Sequence, residues 1–132
     1  MFFVLLSLFS MLLLNGCILM SGSTVSADST TDGGNVYVGF VSAEGSGTET
    51  VRTNFPSTTL ELTVFARSER GQMRVEILDE QNSVVLSIDG TPNEQAKPAQ
   101  VRTNAAGGFR YRLRTTGAQR GAFQILYQPT SG

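Results

Sequence analysis

Histidine and tryptophan are absent from the 132 residues, and cysteine and lysine occur once each, at Cys17 and Lys97. Without histidine there is no Ser-His or Cys-His pair, no imidazole base and no imidazole ligand for zinc. A single cysteine allows neither an internal disulfide nor a thiolate metal site. Carboxylates occur in pairs, as in any chain with 11 acids, but no spacing sets two of them across a cleft. A serine nucleophile would have only Lys97 as a base. The chain therefore reads as a non-enzyme that needs no cofactor. Asp79, Glu80 and Asn82, and again Asp89, Asn93 and Glu94, place oxygen ligands on turns, but neither group has the spacing of a calcium loop, so no metal is expected. The net charge of −1 gives no bulk attraction for nucleic acid. Lacking tryptophan, the chain also has less to offer as a sugar-stacking surface.

What is present begins with an apolar run. Phe2 to Leu14 is interrupted only by Ser7 and Ser10, and no charged residue precedes Met20. This length fits the apolar core of a secretory signal, followed by small residues at a cleavage site. Leu14-Asn15-Gly16-Cys17 resembles the lipobox of bacterial lipoproteins. The resemblance implies a signal peptide over residues 1–16, removal of that segment, and fatty acylation of Cys17 as the new first residue. It also implies a bacterial cell-membrane location, lipid-anchored on the extracytoplasmic face, with the membrane as a partner through the lipid. More than one acyl chain makes such a tether firm. The other reading of the run is an uncleaved apolar anchor, since no basic residue stands before it and about 18 apolar residues span a bilayer.

Residues 17–35 are rich in Ser, Thr and Gly, and read as a flexible linker behind the lipidated cysteine. From residue 36 the pattern has period two. Val36, Val38 and Phe40 alternate with Tyr37, Gly39 and Val41; Leu60, Leu62 and Val64 with Glu61, Thr63 and Phe65; Phe109, Tyr111 and Leu113 with Arg110, Arg112 and Arg114. Met73-Val75-Ile77, Val84-Leu86-Ile88 and Phe123-Ile125-Tyr127 follow the same rhythm, with turn residues between the runs. No helical stripe is sustained. Asp89 to Pro98, holding two prolines, reads as the longest loop. Val51-Arg52-Thr53-Asn54 recurs as Val101-Arg102-Thr103-Asn104, and Arg70-Gly71 as Arg120-Gly121. The same shift of fifty superposes most of the alternating runs, but it sets Leu60 on Arg110, one residue out of phase. A bulge or a different turn length absorbs such a slip. The expected fold is all-β, a single antiparallel β-sandwich over residues 36–130 with about eight short strands, four from each half of the repeat.

Gly71 to Val85, Gly107 to Arg114 and Gly121 to Tyr127 together resemble bacterial pre-peptidase C-terminal domains, which implies a small extracellular accessory module. The sharpest candidate for ligand binding is the trio Arg110, Arg112 and Arg114. On a strand they share one face at about 6.6–7 Å intervals and suit an anionic envelope component or an acidic protein partner. Pairing across strands with acids such as Glu61 or Glu76 is the competing role. Arg52 and Arg102, in the repeated segment, read as the charged rim of edge strands. Tyr37, Phe65 and Leu126 have outward parity and form a candidate partner patch. The chain is thus expected to be a lipid-anchored, non-catalytic binding or structural module. The alternatives are a subunit of a larger envelope or transport complex, and a stand-alone accessory domain of the pre-peptidase type.

Overall fold

A computed structural model describes residues 18–130. Cys17 and the expected signal segment lie outside the described residues. Seven strands run in chain order: β1 (Leu19–Ser21), β2 (Thr24–Ser29), β3 (Gly34–Arg52), β4 (Thr59–Leu78), β5 (Val84–Asp89), β6 (Gln95–Arg102) and β7 (Gly108–Pro129). All paired strands are antiparallel, and β7 lies between β3 and β4. The fold is all-β, as the alternation implies, with seven strands rather than eight short ones. Three of them are long, at 19, 20 and 22 residues.

The long strands fold over. The rings of Phe109 and Tyr127 lie on one strand, 18 residues apart, which would be about 60 Å if it were straight. Their centroids are 5.9 Å apart, and those of Tyr111 and Phe123 are 5.1 Å apart. Register slips mark the fold line between Ala43 and Gly45 in β3, and between Arg70 and Gln72 in β4 opposite Thr116 and Gln119 in β7. Gly71 and Gly117 both have positive φ there, and a Cβ on Gly71 would collide with the Gly117 carbonyl. The first layer is then β2, the first half of β3, the second half of β7, the first half of β4, and β6. The second is the remaining half of β3, the first half of β7, the second half of β4, and β5. One core fills the space between, including Val38, Leu60, Val64, Val75, Ile77, Leu113, Phe123 and Ile125.

The fifty-residue repeat is a pseudo-two-fold that exchanges the layers. Residues 34–43 and 45–52 of β3 correspond to β5 and β6, so one bent strand matches two strands with a loop between them. β4 corresponds to β7. β4 starts at Thr59 and β7 at Gly108, 49 positions later rather than 50. The shorter turn produces the one-residue slip, and the bend in β7 restores the phase by Phe123. Thr53 and Thr103 are both buried. Thr53 donates its hydroxyl to the Gly107 carbonyl at 2.7 Å, while Thr103 Oγ1 accepts from the Thr58 amide at 2.9 Å. The repeated VRTN segments thus clasp the two equivalent loops together, and Arg52 and Arg102 stay exposed at the strand ends.

Two local readings change. The linker segment holds β1 and β2, and β2 pairs with β3 over six positions from Thr24↔Gly39 to Ser29↔Gly34. All six residues of β2 are exposed. Backbone hydrogen bonds, which composition does not reveal, hold it in place. The proline loop is also shorter than expected, because β6 starts at Gln95 and carries Pro98 within it. β6 is an edge strand, where a missing N–H costs no ladder bond.

Candidate functional site: the outer faces

Paired residues of antiparallel strands point to the same side, so the registers define each face. On the outer side of the second layer, Arg110, Arg112 and Arg114 of β7 stand opposite Thr50, Thr48 and Ser46 of β3. On their other flank are Leu78, Glu76 and Arg74 of β4. Arg74 in turn faces Asp89 of β5. Four arginines therefore share this face with two acids, in a chain whose net charge is −1.

The trio is not uniform. Glu76 is 8% exposed, and its Oε1 accepts from Nε of Arg112 at 2.7 Å and from Nε of Arg114 at 2.8 Å. Burial pushes the Glu76 carboxyl up, but the hydrogen bonds and charges of the two arginines outweigh it and hold the group below its ordinary value. Each guanidinium spends only Nε on this bond. The terminal nitrogens, which grip an anion best, make no hydrogen bond among the described residues. Glu76 thus aligns the two arginines and leaves their outer donors open. Arg110 makes no ion pair among the described residues. It sits in a depression of about 430 Å³ with Thr50, Leu78, Asp79, Glu80 and Arg102. At the other end, Arg74 donates Nε to Asp89 Oδ1 at 2.8 Å. This bond, chiefly, keeps the Asp89 carboxyl below its ordinary value. The pair lines a groove of about 800 Å³ with Arg114, Glu44 and Thr115.

Glu76, one of the two acids named from sequence, pairs with the trio. Glu61, the other, receives a hydrogen bond from Gln128 at 3.4 Å instead. Arg74 was missed. Its outward parity between Met73 and Val75 was legible, but membership of the face depends on β7 lying beside β4. The turn acids have other partners. Asp79 Oδ1 accepts from the amides of Gln81 and Ser83, both at 2.9 Å, and Asp89 holds Arg74.

The outer side of the first layer carries the other candidate patch. Tyr37 and Phe65 both pair in register with Gln124, one on each side, and Leu126 lies between Asn35 and Thr63 in the next row. Tyr37 and Phe65 are half-buried, and Leu126 is 39% exposed. A third feature is a cleft of about 640 Å³ on the flank between the layers, lined by Val25, Val36, Val38, Val51, Tyr111 and Tyr127. Burial, with a smaller contribution from the Glu49 charge, pushes the Tyr111 phenol up to about 12.

No protein-family model matches the chain, and no curated protein matches it. Neither sequence resemblance, to the lipobox or to pre-peptidase C-terminal domains, therefore has a matching family model behind it. Solved structures do match. The Bacillus endospore appendage protein, of a family of disulfide-linked pili, is 12% identical, with 88% of this chain and 96% of that chain covered at a TM-score of 0.51. A carbohydrate-binding module of the Cellvibrio mixtus lichenase 5A, solved with cellotriose, is 18% identical over 86% of this chain and 91% of that chain at 0.42. The C-terminal carbohydrate-binding module of a Zobellia galactanivorans laminarinase is 16% identical over 86% and 99% at 0.40. At such identities the likeness is one of fold, and the fold it shows is an antiparallel β-sandwich.

Proposed function

We propose that the protein is a non-catalytic binding module, tethered at the extracytoplasmic face of a bacterial membrane through lipid on Cys17. In this reading its arginine face engages an anionic component of the cell envelope. The observation that carries the reading is the Glu76 arrangement, with two arginines aligned by one buried carboxylate while, among the described residues, their terminal donors stay open and Arg110 beside them makes no ion pair. A sheet face needing only solvation would gain little from a carboxylate desolvated beneath it. The tether would supply effective concentration, so weak individual contacts would suffice.

The test uses the full chain in phosphatidylcholine nanodiscs, titrated with an acidic polysaccharide such as alginate and with anionic phosphatidylglycerol vesicles. Binding to the polysaccharide that falls with salt and is lost in Arg110→Gln/Arg112→Gln/Arg114→Gln supports the reading. Equal binding by that triple variant would refute it. Binding to vesicles alone would move the partner to lipid headgroups. For the anchor, labelled palmitate should enter the wild-type protein in bacterial cells and not Cys17→Ser. Label in neither would retire the lipid.

The second reading, a subunit of a larger assembly, has its own observation. Beyond Glu44 the outer edge of β3 carries no strand among the described residues, and it borders the apolar flank cleft. An open edge beside an apolar cleft is suited to accept a strand. Concentration-dependent growth of the sedimenting species would favour this reading, and a monomer at all concentrations would end it.

A further inference from the structure

The outer face of the first layer has a chemistry distinct from that of the arginine face. Tyr37 lies along β3 over Gly39. A Cβ at Gly39 would stand 2.9 Å from the Tyr37 hydroxyl oxygen, and 3.2 and 3.3 Å from Cε1 and Cζ. Glycine is what allows the ring to lie down on the strand, and it buries Gly39 in doing so. A ring laid along the sheet, rather than standing off it, turns a face outward. Phe65 lies two strands away in the same row, with Gln124 between them, so the two aromatic positions are about 9–10 Å apart.

A fixed amide pair joins the rings' row to the next, with Gln124 between the rings and Asn35 one row along. Gln124 donates Nε2 to Asn35 Oδ1 at 2.8 Å. That bond orients both side chains and leaves Gln124 Oε1 as an acceptor and Asn35 Nδ2 as a donor, neither otherwise engaged among the described residues. The row beside it is Asp28, Asn35, Leu126, Thr63 and Pro98, whose one charge, Asp28, stands on the exposed outer strand β2. The other ionic groups in register, Glu61 and Arg67, stand on β4 to either side of Thr63 and Phe65.

We infer that this face is a docking platform for an uncharged, extended, β-linked glycan chain. The inference goes beyond the proposed anionic contact and lies on the opposite side of the molecule. Sugar rings present C–H faces to aromatic rings and hydroxyls to amides, and an uncharged chain offers nothing for the Asp28 carboxylate at the margin to repel. Rings two strands apart match alternate sugars of an extended chain, whose intervening hydroxyls would meet Gln124 and Asn35. A protein partner would instead call for a continuous apolar centre, and here the Gln124 amide divides the rings.

The full chain in phosphatidylcholine nanodiscs is titrated with hexamers of β-1,4-glucose, β-1,3-glucose and β-1,4-N-acetylglucosamine, followed by NMR. At least one hexamer should shift the side-chain amide signals of Gln124 and Asn35 together with the ring signals of Tyr37 and Phe65. Its affinity should not change with salt or in Arg110→Gln. Tyr37→Ser should weaken it about tenfold, as loss of one stacking ring implies. Should Tyr37→Ser lose its strand spectrum by circular dichroism, Gln124→Ala provides the same comparison. No shift with any hexamer, or a shift that survives both substitutions unchanged, overturns the inference. So do shifts that grow with protein concentration without sugar, which would assign the face to a second copy. Salt dependence and the response to Arg110→Gln separate this outcome from that of the arginine face.

Discussion

The outer faces of the two layers are built from equivalent strands of one repeat and carry opposite chemistry. With β4 set on β7, Phe65 corresponds to Arg114, Thr63 to Arg112 and Glu61 to Arg110. With β7 set on the second half of β4, Gln124 corresponds to Arg74. The inward partners keep their character: Leu60, Leu62 and Val64 correspond to Phe109, Tyr111 and Leu113, and all six are buried. Close packing constrains every inward position to an apolar side chain of fitting volume. The outward positions answer only to solvent and to each other, so one framework carries an arginine face on one side and an aromatic-amide face on the other.

Breaking the carboxylate that organises the arginine face should have the largest effect. Glu76→Ala leaves Arg112 and Arg114 adjacent with no acid between them. It should lower stability by about 2 kcal/mol, measured as the shift of the urea midpoint. The same carboxylate gives a pH signature. Because its folded pKa lies below the ordinary value of 4.5, its contribution is complete above that value and disappears as pH falls through the folded pKa. Asp89, whose ordinary value is 3.8, adds a smaller contribution in the same direction, discounted because its ion pair is exposed. Stability should therefore decline from about pH 4.5 downward, and Glu76→Gln should flatten the upper part of that decline. On the first layer, Tyr37→Ser should cost about 1 kcal/mol of urea stability, since the ring packs over Gly39 on the outer face and is only half-buried. Smallest of all, Arg110→Gln should move stability by less than about 0.5 kcal/mol while still weakening binding to an acidic polysaccharide.

Much of this contrast was legible in the sequence, because a period of two assigns inward and outward positions without knowledge of the fold. It placed Arg110, Arg112 and Arg114 on one face, and Tyr37, Phe65 and Leu126 on outward positions. The fifty-residue repeat also showed that the chain has two halves. What alignment of residues along a strand does not show is which strands are neighbours. Arg74 joins the arginines, and Glu76 rather than Glu61 holds them, only because β7 lies between β3 and β4 with Arg112 opposite Glu76. Strand length was misread for a related reason. The runs before and after Gly71 and Gly117 look like separate strands, whereas the backbone continues through the bend with positive φ at both glycines. β2 escaped because ladder hydrogen bonds, and not burial, hold Thr24–Ser29 to β3.

The most direct test of the arginine face as the working surface is a salt series of acidic-polysaccharide binding. The full chain in phosphatidylcholine nanodiscs is compared with the Arg110→Gln/Arg112→Gln/Arg114→Gln variant. Binding by the wild-type chain that weakens steadily with salt, and none by the variant, is the expected result. Matching affinities for the two proteins at every salt concentration would contradict it and leave Glu76 and its arginines as a structural pairing alone.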